Sequence, residues 1–477
     1  MFRLKRLGLA MGLTVGLGCA QAQGGDVALR MTTLLAQPPV TSADDAAPAG
    51  HWAEQATRWQ PGSDACAGAA TPPWERLTLG DALAHTLCQS PTLRQAIAEV
   101  GAQTANVALG EVALWPTWNA TVEYSASRNF NSSGAAGRTL DASLGLSWAL
   151  FDFGQRSASL REARFSLAAA MASQNNVLLE SVRDVMRLYG EAVVASAALD
   201  AATEAEATAT QTAAAAQARY EAQVGSQIDR LQAQTALAQA TLERVRAQSG
   251  WENARGKIAL ALGGDIEQPV RLAEWAAWVR PGKDLPDLAS LRREARSQHP
   301  KLRAAQAQVD SLQARLEASQ AQARGSVTVS ASGGSSRNWG AAGAGNIPVG
   351  NAAIVASIPL FNGRESAAQQ AQILAQKGSR EAELETVRRD VDAQLWQAHQ
   401  ALLTSRQSLL ASERLLASAT GTYRVAQGRY RAGVGSILEL LNAQSALADA
   451  RRQRVSALVD QLTARTQLGL ATGRVGL

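Results

Sequence analysis

The sequence predicts a mainly α-helical chain with a transmembrane β part, and three observations favour this fold class. The chain contains an internal repeat, and each copy of the repeat includes a long stretch without proline. Each copy also contains two segments in which apolar and polar residues alternate. Long stretches without proline permit long helices, whereas strict alternation is typical of half-buried strands.

The repeat has constant spacing. Residues 218–247 align with residues 428–457 without a gap, at an offset of 210. The segment Leu150-Phe151-Asp152 matches Leu360-Phe361-Asn362 at the same offset. Because chance does not preserve spacing over such a length, the sequence predicts a duplicated unit. Its parts are a first repeat over 77–265, a linker over 266–286 and a second repeat over 287–477.

The first 22 residues predict a cleaved signal peptide. The basic residues Arg3, Lys5 and Arg6 precede an apolar run over 7–18. A small-residue cleavage signal formed by Ala20 and Ala22 follows this run. Cleavage removes three cations and lowers the formal charge from +5 to +2, so charge gives no argument for a nucleic-acid partner. Lipidation of Cys19 is an alternative, although Gly16 stands where such a signal usually has Leu.

An Ala/Pro-rich extension over 23–76 follows the signal peptide. Cys66 and Cys88 are the two cysteines that remain after cleavage, and an even pair in an exported protein predicts one disulfide. Two reduced, buried thiols are the alternative.

Each repeat is expected to contain one very long helix beside two shorter helices in line. The stretch 155–224 is rich in helix-forming residues and would reach about 105 Å. A coiled-coil seam along it is indicated by Val182, Met186, Tyr189 and Val193. The shorter helices are expected at about 91–115, 227–263, 300–324 and 437–472.

Glycine–serine pairs predict the turns at the ends of the long helices, at about residues 225 and 435. The glycine is expected to take the left-handed conformation that ends a helix. The serine is expected to cap the next helix, in a capping box with an acid three residues later. These residues are Gly225, Ser226 and Asp229 in the first repeat and Gly435, Ser436 and Glu439 in the second.

The alternating segments are long enough to cross a bilayer as tilted strands. They lie at about 117–128 and 138–151 in the first repeat and at about 325–335 and 350–361 in the second. Antiparallel pairing would bring five aromatic residues to one end, as in an interfacial girdle: Trp115, Trp118, Trp148, Phe151 and Phe153. A pair of soluble hairpins is the alternative interpretation.

Four strands cannot close a hollow barrel by themselves, and an open sheet edge in lipid leaves backbone groups without partners. Several copies of the chain must therefore contribute strands. Two copies would give eight strands and a filled barrel, whereas three would give twelve strands and a lumen. Because long helical walls suit a conduit, we favour three copies.

With these features in place, the sequence resembles the outer membrane efflux protein family, the TolC-like outer membrane factors, over about 77–477. The resemblance rests on Leu77-Thr78-Leu79-x-x-Ala82-Leu83 with Ser90-Pro91, Leu150-Phe151-Asp152-Phe153-Gly154, Pro359-Leu360-Phe361-Asn362-Gly363 and the paired Tyr-x-x-x-Val-Gly-Ser turns. It implies a homotrimer with a 12-stranded β-barrel in outer-membrane lipid, continued by a long α-helical coiled-coil barrel in the periplasm. It also implies a periplasmic adaptor and an inner-membrane transporter, with the ABC type favoured, and no cofactor or metal.

The resemblance further implies a gate at the periplasmic tips, where acidic side chains ring the entrance. The matching positions are Asp229, Tyr430, Gly435, Glu439 and Asn442. Asn442 replaces a second acid of some relatives, which argues against a doubled acidic ring. Plain helix capping by Asp229 and Glu439 is the alternative to a gating role.

The predicted function is an exit channel for export, most directly type I secretion of a protein such as a toxin. Efflux of small molecules, such as drugs or metals, is the alternative use. A periplasmic adaptor is a different class, but an adaptor does not need membrane-length strands. With four His and three Cys in the chain, and no nucleophile elbow or phosphate-binding loop, the sequence gives no indication of an enzyme.

Overall fold

The computed structural model describes residues 74–128, 136–273, 287–340, 343–361 and 363–474. The predicted signal peptide, Cys19, Cys66 and nearly all of the extension lie outside these residues, as does part of the predicted linker. In the described part of the chain, no helix carries an apolar stretch long enough to cross a membrane.

The elements follow the same order in the two halves of the chain. The first half contains α1 Leu79–Gln89, α2 Pro91–Val112, β1 Thr117–Arg128, β2 Ala136–Phe151, α3 Gln155–Glu221 and α4 Gln227–Ala261. The second contains α5 Leu288–Gln298, α6 Pro300–Gln322, β3 Ser326–Gly340, β4 Gly343–Ser357, α7 Glu365–Arg431 and α8 Ile437–Ala471. The predicted fold class, mainly helical with a small β part, is therefore confirmed.

Helices α1 and α5, each of 11 residues, were not predicted from the sequence. Each is separated from the next helix by a proline, Pro91 or Pro300, which occupies the first helical position of α2 or α6. A capping box begins α1, since Thr78 Oγ1 accepts from the N–H of Asp81 and the Asp81 carboxylate accepts from the N–H of Thr78. This signal was readable from the sequence.

The two long helices α3 and α7 each contain 67 residues, which corresponds to about 100 Å. Helices α2 and α4 both pack against α3, and α6 and α8 pack between α3 and α7. The helical layer therefore runs α4–α3–α8–α7 near the turns and α2–α3–α6–α7 near the strands. Each half consists of one long rod beside two shorter rods, as the sequence predicts.

The predicted seam on α3 lies in the helical core. Val182, Tyr189 and Val193 are at most 5% exposed, and Met186 packs against the buried cluster that contains Tyr189 and Val193. The Tyr189 hydroxyl donates to the carbonyl of Leu77 at 3.2 Å, and this buried bond ties the segment before α1 to the long helix.

The strands form one antiparallel sheet in the order β1-β2-β3-β4. The central pair joins the two repeats, because β2 belongs to the first and β3 to the second. Within the described chain, β1 and β4 pair on one side only. The sheet therefore ends in two open edges.

The predicted bounds of the second pair of strands were wrong. Strand β3 continues to Gly340, and β4 starts at Gly343 and ends at Ser357, so that Gly343 and Gly345 lie in a strand rather than in a loop. Pairing with β2 and β4 supplies backbone partners for the Gly/Ser/Asn-rich residues of β3, which overrides their turn propensity. Pro359 follows β4 and cannot donate to a ladder, so Leu360 and Phe361 lie beyond the strand.

Candidate functional site at the helical turns and the sheet

Two short turns join the long helices to their returning partners, and they have the same backbone hydrogen bonds. In the first turn, the N–H groups of Val224 and Gly225 donate to the carbonyl of Arg219 at 3.0 and 2.9 Å. In the second turn, those of Val434 and Gly435 donate to the carbonyl of Arg429 at 3.0 and 3.1 Å. The chain reverses direction at the two predicted positions.

The glycine of each Gly-Ser pair does not have the predicted left-handed conformation. The left-handed residues lie two positions earlier, at Gln223 (φ 58°) and Gly433 (φ 77°). Gly435 is required for a different reason, since a Cβ there would lie 2.9 Å from the Cβ of Arg429 and 3.0 Å from the backbone N of Tyr430. Gly225 has the same close approach to Arg219.

The predicted capping boxes are only half formed. Ser226 Oγ accepts from the N–H of Asp229, and Ser436 Oγ accepts from the N–H of Glu439, each at 3.1 Å. Among the hydrogen bonds of the described residues, neither acid returns a bond to its serine, whereas Asp81 in α1 does. The Glu439 carboxylate lies 3.6 Å from Arg429 Nε, and this ion pair draws it away from the cap.

A contact between the two hairpins was missed by the sequence analysis. Arg219 on α3 donates from Nη1 to the backbone carbonyl of Tyr430 on α7 at 3.2 Å, and its guanidinium lies 5.1 Å from the centre of the Tyr430 ring. Tyr430 is buried, at 9% exposure, in a cluster that includes Ala216, Ile437 and Leu440. The repeat contained the signal, since Arg219-Tyr220 and Arg429-Tyr430 are identical pairs.

The structure brings the predicted gate residues to the same end of the helices. Glu439 and Asn442 are exposed on the first two turns of α8, and Asp229 is half-buried at the start of α4. Tyr430 differs from these residues, because it packs inward and connects the hairpins. The cluster thus combines a buried aromatic anchor with exposed polar groups.

The predicted aromatic girdle lies at the end of the sheet next to the helices. Its members are between 41% and 69% exposed: Trp115, Trp118, Trp148, Phe151 and Phe153. Trp148 Nε1 donates to the carbonyl of Leu114 at 3.2 Å, and the rings of Phe151 and Phe153 meet edge to face at 4.8 Å. The repeat places Leu360 and Phe361 at positions equivalent to Leu150 and Phe151, and they are 94% and 89% exposed.

The register sorts the strand residues onto two different faces. One face is largely apolar and carries Trp118, Val122, Leu144, Trp148 and Ile354. The opposite face of β1, β2 and β3 is mostly polar, with Thr121, Ser143 and Ser330 among its members. Val122 and Ile354 are each 73% exposed, so nothing in the described part of the chain covers the apolar face at these positions. This arrangement suits a sheet with lipid on one side and water on the other.

The remaining predicted site residue in the described chain is Cys88, which lies near the end of α1 and is disulfide-bonded. Its predicted partner, Cys66, lies outside the described residues, so their pairing stays a prediction. Within the described ranges, no group of three or more His, Cys, Asp or Glu side chains is placed to hold a metal ion.

The sequence profile of the Outer membrane efflux protein family matches residues 82–264 and 291–474, one segment in each repeat. Protein CyaE of Bordetella pertussis (strain Tohama I) is 33% identical over 483 aligned residues, which cover 99% of this chain and 97% of that protein.

Solved structures show the same fold at low sequence identity. The outer membrane protein VceC of Vibrio cholerae superposes with a TM-score of 0.71 at 17% identity, over 83% of this chain and 96% of VceC. The open state of the MtrE outer membrane channel of Neisseria gonorrhoeae superposes with a TM-score of 0.72 at 18% identity. The match covers 83% of this chain and 89% of MtrE. On this evidence the chain belongs to the outer membrane efflux protein family, and it is a channel protein of the outer membrane rather than an enzyme.

Proposed function

We propose that three copies of this chain form a closed export channel, with a twelve-stranded barrel in the outer membrane and a helical tunnel in the periplasm. The observation that carries the proposal is the exposed apolar face of a sheet with two open edges. In hydrocarbon, the free backbone groups of β1 and β4 need partners, and β4 of one copy can supply them to β1 of the next.

The helical layer has open edges at the same two sides. Helix α4 forms one side and α7 the other, and both carry exposed apolar residues. On α4 these are Leu242 and Val245, between 48% and 51% exposed, and on α7 they are Leu410 and Leu415, between 43% and 58% exposed. Head-to-tail contact between α4 and α7 of adjacent copies would bury both sets.

The repeat predicts which side chains meet across this contact. Within one copy, Gln444 Nε2 on α8 donates to Thr212 Oγ1 on α3 at 3.1 Å. The equivalent residues at the offset of 210 are Gln234 on α4 and Thr422 on α7, and both are exposed in the protomer. We therefore expect Gln234 of one copy to meet Thr422 of the next.

Cysteine cross-linking in native membranes tests the assembly. The Gln234→Cys/Thr422→Cys variant should form disulfide-linked dimers and trimers on oxidation. The matched control is Thr212→Cys/Gln444→Cys, which joins positions within one copy and should leave the chain monomeric on denaturing gels. Species that stop at a dimer, or an equal result for both variants, would contradict a closed ring of three.

We further propose that the channel is the outer-membrane part of a three-component system, and that a periplasmic adaptor binds its helical turns. The inner-membrane component is proposed to be an ABC transporter. The turns suit adaptor docking because both hairpins present exposed residues there, such as Val224 and Val434, at 70% and 71% exposure. Crosslinking from photoreactive residues at these two positions would identify the partner.

We propose type I secretion of a protein, such as a toxin, as the use of this channel, in preference to small-molecule efflux. The predicted cleavable signal, with Gly16 where a lipidation signal usually has Leu, and the disulfide-bonded Cys88 support this use. The match with Protein CyaE also extends over nearly the whole of both chains, whereas the solved channels cover 83% of this one. Deletion of the gene should remove a protein from the culture medium, whereas increased drug or metal sensitivity with unchanged secretion would support the alternative.

We propose that the turns also form the gate, with Asp229, Glu439 and Asn442 near the entrance and the Arg219–Tyr430 contact holding the two hairpins together. The contact supports this role because it joins α3 to α7, across the boundary between the repeats. The ion pair between Arg429 and Glu439 reduces the negative charge that Glu439 presents.

A further inference from the structure

We propose that Arg138 and Arg337 form a binding site for the phosphate-bearing headgroup of a lipid in the outer leaflet. The inference rests on the proposed barrel, because it requires that the apolar face of the sheet meets lipid. It goes further by assigning a lipid contact to two particular side chains.

Charges on the sheet are sorted by face. Among the charged strand residues whose side chains the structure describes, the two acids, Glu123 and Asp141, lie directly opposite each other on the polar face. The two arginines, Arg138 and Arg337, both lie on the apolar face. The ion pairs of the described residues include neither arginine, so no described acid neutralises their charges.

The two arginines lie close together on adjacent strands. Arg138 on β2 is paired with Trp339 on β3, and Arg337 is paired with Leu140, two residues along. Diagonal neighbours in an antiparallel pair are about 7–8 Å apart, which allows both guanidinium groups to reach one phosphate. The Arg337 guanidinium also lies 5.8 Å from the centre of the Trp339 ring, and both arginines are exposed.

The position along the strand places this pair at the outer interface. Arg138 is ten residues from Trp148 of the aromatic girdle, which corresponds to about 34 Å along a strand and about 26 Å across a bilayer at a tilt of about 40°. The apolar band of an outer-membrane barrel is about 25 Å tall. Since the helices lie in the periplasm, Trp148 marks the inner interface and Arg138 the outer one.

The chemistry of the pair fits a phosphate monoester or diester. A guanidinium group binds phosphate through two parallel N–H donors, and it keeps its charge at any physiological pH. On a lipid-facing strand, an arginine costs about 2–4 kcal/mol at the midplane but about 0–1 kcal/mol near an interface. Arg138 and Arg337 therefore lie at a depth where they are tolerated and where lipid phosphates are present.

Native mass spectrometry of the delipidated full-length protein in mild detergent tests the site, with lipid A carrying two phosphates as the probe and dephosphorylated lipid A as its control. The wild type should bind the phosphorylated probe at least about tenfold more tightly, a difference that Arg138→Gln/Arg337→Gln should abolish. The Arg138→Lys/Arg337→Lys variant should show an intermediate preference, because lysine retains the charge without the paired donors.

The matched control is Glu123→Gln/Asp141→Asn, which removes two charges from the same strands but on the opposite face, and it should retain the wild-type preference. An unchanged preference in the Gln variant, or none in the wild type, would overturn the proposal. Inorganic phosphate that bound as tightly as the lipid would assign the site to the free anion and would also overturn it. Because the same spectra report whether the protein assembles, loss of the lipid site and failure of the barrel are distinguishable.

Discussion

At the scale of single residues, the contact between Arg219 and Tyr430 is the link on which the proposed gate depends. Arg219→Ala removes both the hydrogen bond to the Tyr430 carbonyl and the guanidinium stacked on its ring. We expect looser hairpins and a single-channel conductance in planar bilayers that rises severalfold, because each bond contributes about 1 kcal/mol to the closed arrangement.

Arg230→Ala is the control for this prediction. Its guanidinium lies 4.5 Å from the ring of Tyr220, so it connects α4 to α3 within one hairpin rather than joining the two hairpins. The Arg230 variant should therefore keep the wild-type conductance. Equal conductances for the wild type and the Arg219 variant would show that the contact does not hold the tips.

His299 gives the protein a predicted pH dependence. It is 4% exposed, and burial, assisted by the nearby Lys301 charge, lowers the pKa of His299 to about 4. Unfolded histidine takes up a proton below about pH 6.5. The free energy of unfolding should therefore fall as the pH drops from 6.5 towards 4, by about 2–3 kcal/mol at pH 4.5 from this residue.

The variant His299→Asn isolates this contribution. His299 Nδ1 accepts from the N–H of Lys301 at 3.2 Å at the start of α6, and an asparagine can accept the same bond without titrating. Thermal unfolding in detergent at pH 7 and pH 4.5 should show a smaller loss of stability for the variant. A loss as large as that of the wild type would mean that His299 does not contribute.

Residue-level geometry was the least predictable part of the candidate site. The pattern Gly-Ser-x-x-acid identified both turns but placed the left-handed conformation at Gly225 rather than at Gln223. Reasoning from conformational freedom assigns positive φ to the nearest glycine, so it could not predict that a glutamine adopts the left-handed conformation. The ion pair that draws Glu439 from its cap depends on how Arg429 packs, which only the folded turn determines.

At the scale of elements, the two faces of the strands give a sharp prediction. Leu144 lies mid-strand on the apolar face of β2, at 51% exposure, and its neighbour Ser143 lies on the polar face. Leu144→Arg should cost about 2–4 kcal/mol in each copy, because a charge would enter the bilayer midplane. The amount of the Leu144→Arg variant in the outer-membrane fraction should fall sharply relative to the wild type, as measured by quantitative blotting.

Ser143→Arg adds the same charge one residue away and is the matched control. Because position 143 lies on the polar face, the Ser143→Arg variant should assemble normally. Its added charge should lower the conductance in planar bilayers. If both variants assembled equally well, or if only the Ser143 variant failed, the assignment of the faces would be wrong.

Helices and strands were predictable where the sequence has a long proline-free stretch, a turn signal or a strict alternation of apolar and polar residues. Proline-free stretches gave α3 to within three residues, and the Gly-Ser turns gave the start of α4 and α8. Strands β3 and β4 were misplaced because Asn338, Gly340, Gly343 and their neighbours have little strand propensity of their own. Pairing with β2, which lies in the other repeat, extends β3, and such long-range partners are not apparent from a local pattern.

At the scale of the whole molecule, duplication explains why the protomer is incomplete. Each repeat supplies two strands and one set of rods, and joining the two leaves α4 and β1 open on one side and α7 and β4 on the other. The repeat makes these edges equivalent to the surfaces through which the two halves of one copy meet. We therefore expect contacts between copies to resemble the contacts between the two halves of one copy. The sequence could predict this need for partners because four strands of membrane-crossing length cannot close a hollow barrel by themselves.

Planar-bilayer recording of the purified wild-type protein tests whether copies of the chain join edge to edge around a water-filled pore. This edge-to-edge assembly predicts discrete, uniform conductance steps from the oligomeric fraction and none from the separated monomer. A chain that stays soluble without detergent, and that gives no steps at any concentration, would contradict it.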